Sequence, residues 1–210
     1  MNRYSIVCSS HKSDILVKNL FRSPNIFDHD LHIKNGYTNI CNAYNEALKK
    51  CNEDVIIFVH HDVYLPETFF VDLDLSLTEI NHINWGVLGV AGATTNRIIA
   101  NVIDRSHLLK VYDSLPQEVV TLDELILIIK KESFKFLSFD EKIKNHHLFG
   151  TDICMQAKKN GMTNFVINAQ CNHNSSLSYQ IPKEYFDTET YIKEKWKDFL
   201  PIKNTINVIK

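Results

Sequence analysis

The sequence predicts an α/β fold, a mainly parallel central sheet flanked by helices, on three observations. Val55-Ile56-Ile57-Phe58-Val59 is an unbroken apolar, β-branched run, the signature of a strand covered on both faces. Residues 85–91, Trp-Gly-Val-Leu-Gly-Val-Ala, are a second buried-strand pattern, rich in glycine. Segments of helical spacing alternate with such runs, as they do in layered α/β sheets.

The elements follow in order. Residues 4–9 read as a short strand, and Ser13 is the expected N-cap of a helix over 14–21. A polar stretch rich in Asn, Asp and His comes next. Ile40, Ala43, Tyr44, Ala47 and Leu48 then recur on one face, which predicts a helix over 40–50. The strand at 55–59 stops abruptly at His60-His61-Asp62. Pro66 sits where a helix running to about residue 80 could start. Residues 119–129 are apolar but broken by Asp123-Glu124, so a strand and a polar break precede either a second strand or a helix start. Residues 150–160 form a short helix, with Asp152 in its first turn, Lys158 and Lys159 in its last and Gly161 as its stop. A strand at 165–167 leads to Asn172-His173-Asn174. Residues 182–199, charged and aromatic, read as a peripheral helix, followed by a loose tail. With no repeat or low-complexity linker, the expected organisation is one domain over 1–180 and a C-terminal helical extension and tail over 181–210.

Composition narrows the function. The 210 residues, 44% hydrophobic and 23% charged, suffice for one domain with a real core. A formal charge of −2 provides no basic field for nucleic acid, so any phosphate binding must be local. No run approaches the roughly 18 apolar residues of a membrane span, and the start lacks a signal-peptide core. A cytoplasmic chain is expected, with peripheral association at the inner face of the membrane left open. Five scattered cysteines without a CxxC pair indicate neither a disulfide framework nor a thiolate zinc knuckle.

Ligands of open α/β sheets bind at the carboxyl ends of strands, where loops and helix N-termini converge. Three polar clusters fall there: Ser9-Ser10-His11, His60-His61-Asp62 and His173. A carboxylate at the end of a buried strand, joined by an imidazole from another, suits Mn²⁺ or Mg²⁺. The plain alternative is that the histidines cap the strand and Asp62 begins a turn. Asp152, in the first turn of a helix, is a candidate general base, and equally an ordinary helix-start residue. Asp123 and Glu124 must meet water, a cation or a ligand, because carboxylates are costly to bury unpaired. Asn45 and Glu46 fit a polar helix face.

In this order the clusters resemble GT-A fold glycosyltransferases, particularly the family-2-like bacterial group. The resemblance rests on Asn42-Ala-Tyr-Asn-Glu-Ala-Leu48, on residues 55–66, on His147-Leu-Phe-Gly-Thr-Asp-Ile-Cys-Met-Gln-Ala157 and on Asn172-His173, about two thirds of the chain. It implies that His60-His61-Asp62 is a variant of the aspartate-any-aspartate metal motif, similar to the His-x-Asp-Val form. Asp62 and His173 would then be metal ligands, and His60 would approach the ribose or the metal. Ser9, His11, Asn45 and His61 would face the nucleotide. Phe149-Gly150-Thr151-Asp152 looks like an acidic-pair motif with threonine for glutamate, which implies Asp152 as the base of an inverting transfer. Asp123 would orient sugar hydroxyls. The implied donor is a nucleotide-diphosphate sugar, UDP-type by preference, and the implied acceptor is a saccharide or lipid-linked hydroxyl in bacterial surface polysaccharide or glycoconjugate synthesis. Two rival readings are a zinc or two-metal hydrolase built on His60, His61, Asp62, His147 and His173, and a non-catalytic nucleotide-sugar-binding protein of the same fold.

Overall fold

Along the central strand Ile56 and Phe58 face one hydrophobic layer and Ile57 and Val59 the other, the period-2 alternation of a strand covered on both sides. The computed structural model describes residues 2–175 and 181–210. The boundary expected at residue 180 falls outside the described residues.

Strands β1 (Ser5–Ser10) and β2 (Asp30–Asn35) enclose helix α1 (Ser13–Lys18). Helix α2 (Ile40–Leu48), strands β3 (Val55–Val59) and β4 (Val63–Tyr64) and helix α3 (Phe69–Glu79) follow. Next come β5 (Trp85–Gly89), β6 (Ala91–Ala93), β7 (Ile98–Asp104), β8 (His107–Val111), β9 (Gln117–Val119), β10 (Thr121–Leu122) and β11 (Ile126–Lys130). The chain closes with α4 (Phe149–Lys159), β12 (Thr163–Val166), β13 (Cys171–His173), α5 (Lys183–Lys195), β14 (Ile202–Lys203) and β15 (Val208–Ile209).

The main sheet has the order β2-β1-β3-β11-β5-β12-β9. β2, β1, β3, β5 and β12 run one way, and β11 and β9 run against them. A second sheet, β10-β6-β7-β13-β4 with β8 on the β7 edge, gathers the strand ends. Helices α2, α4 and α5 supply Tyr44, Phe149, Ile153, Tyr185 and Ile192 to one layer, joined by Trp196 just after α5. α1 and α3 supply Leu16, Phe69, Phe70 and Leu73 to the other.

Several elements differ from the sequence expectation. Ser13 lies inside the first turn of α1, which is shorter than expected and passes into a 3-10 turn at Leu20–Arg22. Pro66 precedes α3 by a turn, its carbonyl accepting the Phe69 N–H at 3.0 Å. The break at Asp123-Glu124 separates two strands, not a strand and a helix. The tail is not loose: β14 and β15 pair, and Ile202 and Ile209 are buried in the same core as Phe58 and Ile153. None of the helices among the described residues is long and apolar enough to cross a membrane.

Candidate functional site

Two backbone ladders bring distant polar residues to one end of the sheets. The N–H of His60, next after β3, donates to Leu125 O at 3.1 Å, which sets His60 beside the start of β11. In the second sheet His173 of β13 pairs in register with Asp104 of β7 on one side and Val63 of β4 on the other. The Asn174 N–H also donates to the Asp62 carbonyl at 2.9 Å. His173 is therefore held between two carboxylates. Its Nε2 lies 3.5 Å from Asp62 Oδ2 and its Nδ1 3.2 Å from Asp104 Oδ1.

Electrostatics follow from this placement. Burial opposes a charge on His173, but Asp62, then Asp104 and Asp123, outweigh it and hold the imidazole above its ordinary range. Burial also opposes ionisation of Asp62, and His173 and His60 outweigh it, holding that carboxyl below the usual carboxylate range. The two residues form an ion pair where the imidazole is protonated.

A cleft of about 160 Å³ opens beside the pair, lined by Ser9, His11, Ile40, His60, His61, Asp62 and His146. Ser10 Oγ and His61 Nδ1 are 2.9 Å apart. The His11 ring centroid is 5.1 Å from that of His61 and 6.1 Å from that of His146. Burial pushes His60 down to about 4 and lowers His61 and His146 below the ordinary imidazole range. These rings are neutral near pH 7, each with one N–H donor and one lone pair.

His60 Nε2 and Asp62 Oδ1 are buried without a hydrogen-bond partner. Native proteins rarely leave such atoms bare unless a ligand or ion completes them. Asp104 Oδ1, 3.2 Å from His173 Nδ1, is likewise without a hydrogen-bond partner, and an imidazole beside a carboxylate suits a divalent cation. In chemistry these residues fit Mn²⁺ or Mg²⁺. Among the described residues no three His, Cys, Asp or Glu side chains are grouped to hold a metal by themselves. Such a cation would rely on diphosphate oxygens and water for its remaining positions.

The other expected residues lie elsewhere. Asn45 does not line the cleft; its amide donates to Phe139 O at 2.8 Å and Glu141 Oε1 at 3.1 Å, tying α2 to the 139–141 segment. It borders a wider, open depression of about 590 Å³ in which Gln156 and Lys195 are already paired. Asp152 is 1% exposed and bound by Lys195, Trp196 and Gln156, which engage both of its oxygens. A carboxylate facing a cleft and one facing a neighbouring helix share the same helix-start sequence pattern. Asp123 is partly exposed, and its charge reaches His60, His147 and His173. Burial, and then the charge of Asp123, push Glu124 up to about 8.

His146, Asp104 and Thr205 were not singled out from sequence. Asp104 carries the same signal as Asp62, a carboxylate closing an apolar run, Ile98-Ile-Ala-Asn-Val-Ile103. His146 adjoins the quoted His147 segment. Nothing local in the sequence marks Thr205.

Residues 15–196 match the glycosyltransferase-like family. A curated relative from Fuscovulum blasticum, described as ATP synthase subunits region ORF 6, is 26% identical over 139 residues, which are 62% of this chain. The matched region spans about half (55%) of that relative's length. Among solved structures, Staphylococcus aureus TarS 1-349 superposes with a TM-score of 0.61 at 14% identity, covering 92% of this chain and 65% of that one. TarS 1-349 in complex with UDP superposes with a TM-score of 0.60, again at 14% identity, covering 92% and 65%. The chain thus spans just under two thirds of these structural relatives. Given the match over residues 15–196, this chain belongs to the glycosyltransferase-like family and has the GT-A-type, family-2-like fold.

Proposed function

We propose that the chain moves a sugar from a nucleotide-diphosphate sugar onto a hydroxyl acceptor, with a divalent cation held at Asp62 and His173. The observation that carries this reading is the meeting of Asp62 and His173 across the second sheet, beside the unpartnered His60 Nε2 and Asp62 Oδ1. The likeness in fold to TarS, whose structures include complexes with UDP and UDP-GlcNAc, supports a UDP-type donor.

Several lining residues have a role in this scheme. Ser9, His11, His60 and His61 offer hydroxyl and imidazole N–H donors to the diphosphate and ribose. Asp104 places a carboxylate charge behind His173, 3.2 Å from its Nδ1. A bound cation would neutralise charge on the departing diphosphate. Displacement at the anomeric carbon is in-line, with inversion. The acceptor is a saccharide or lipid-linked hydroxyl, used at the cytoplasmic face of the membrane in polysaccharide or glycoconjugate synthesis.

A thermal-shift panel of UDP, GDP, CDP and ADP, each with and without Mn²⁺ or Mg²⁺, tests the reading. Stabilisation by one nucleotide that depends on the cation is the expected result. A chain indifferent to every combination would refute it.

A further inference from the structure

We infer that Asp123 takes the proton from the acceptor hydroxyl and that Thr205, in the C-terminal hairpin, orients its carboxylate for this task. The inference rests on the transferase reading above and deepens it by assigning the base.

The argument begins with lone pairs. Asp152 Oδ1 meets Trp196 Nε1 at 2.7 Å and Lys195 Nζ at 2.8 Å, while Oδ2 meets Gln156 Nε2 at 2.8 Å and Lys195 Nζ at 2.9 Å. Its two oxygens are fully engaged and out of reach of solvent, so no acceptor hydroxyl can approach. Asp123 has the opposite character. Oδ1 accepts the Leu125 N–H at 3.1 Å and Oδ2 accepts the Thr205 hydroxyl at 2.8 Å, which leaves each oxygen a further lone pair on a partly exposed side chain.

Thr205 is delivered by a rigid support. Lys203 O receives the Thr121 hydroxyl at 2.8 Å, Asn204 Nδ2 donates to Tyr185 OH at 3.1 Å, and Ile202 and Ile209 are buried. A hydroxyl fixed in this way restricts the carboxylate to one orientation. The ionisable groups within electrostatic reach of Asp123 are His60 after β3, His147 before α4, Cys171 and His173 on β13, and Glu124 beside it. Burial keeps Glu124 protonated near neutral pH, so it adds no second negative charge.

In the step itself the acceptor O–H proton passes to a free lone pair of Asp123 as the acceptor oxygen bonds to the anomeric carbon. The bond from that carbon to the diphosphate oxygen breaks, and its electron pair leaves with the nucleoside diphosphate.

The test follows nucleoside diphosphate release from a panel of UDP- and GDP-sugars, with Mn²⁺, by the full chain and by Asp123→Asn, Thr205→Val and Thr205→Ser. Asp123→Asn is expected to lower kcat at least about a hundredfold. Thr205→Val is expected to lower kcat about tenfold, with donor KM within about twofold. Thr205→Ser restores kcat. UDP affinity by calorimetry and the thermal midpoint stay at their wild-type values in Thr205→Val, which separates orientation from folding. Asp123→Asn and Thr205→Val proteins with wild-type kcat overturn the inference and leave the transferase reading intact. A wild-type chain that binds nucleotide but releases none from any donor overturns the inference and the transferase reading together. A wild-type chain that binds no nucleoside diphosphate overturns both.

Discussion

Lys195 Nζ lies 2.8 Å from Oδ1 of the buried Asp152 and ties α5 to the start of α4. Lys195 also meets Asp140 Oδ2 at 2.6 Å, so one ammonium joins three segments. Lys195→Met would leave the Asp152 carboxylate buried with only Trp196 and Gln156. Breaking a buried pair from one side costs about 3–5 kcal/mol. A fall of roughly 10 °C in the thermal midpoint is therefore expected by calorimetry. An unchanged midpoint would mean that this pair is too well solvated to matter.

The Asp62–His173 pair has a pH signature. A histidine whose folded pKa is raised contributes stability that is fully present below its unfolded pKa and fades as pH rises through the folded one. The carboxyl side of the pair is lost at the acid end, as pH falls through the depressed pKa of Asp62. Asp62→Asn should lower the His173 pKa, read from its imidazole resonances by NMR in the metal-free protein. It should also remove the stabilisation that fades above the ordinary imidazole range.

Glu124 should act in the opposite sense to a salt-bridged carboxylate. With its folded pKa pushed up to about 8, the native state holds a proton that the unfolded chain has already released. Stability therefore falls as pH rises from the ordinary carboxylate range towards 8. Glu124→Gln, which cannot ionise, is expected to flatten that slope and to be more stable than wild type at pH 8 by on the order of 1 kcal/mol. Denaturant melts at pH 5 and pH 8 would check this.

Gly150 marks the closest approach of α4 to the Asp123-Glu124 segment. A Cβ there would stand 2.9 Å from Leu122 O and 3.2 Å from the Glu124 side chain. Gly150→Ala must push backbone apart, at about 1–3 kcal/mol, and it should slow donor turnover by shifting the strand break that carries Asp123. Thermal melts with turnover assays on the same preparation would reveal both effects.

The sequence alone determined the layered α/β plan and the location of the polar triplet. Val55–Val59 is apolar at every position because both faces of β3 are covered, and such a run has to end in polar residues where the sheet ends. β2 and β8 escaped notice because neither contains a buried residue, so burial left no periodic mark on them. The pairing of Asp62 with His173 and Asp104 was decided by strand register, a relation between segments far apart in the chain. The different surroundings of Asp152 and Asp123 belonged to the tertiary structure as well. Each is an acidic residue at the edge of an apolar element, and only the packing of the C-terminal segments engaged both oxygens of Asp152 while leaving Asp123 partly exposed.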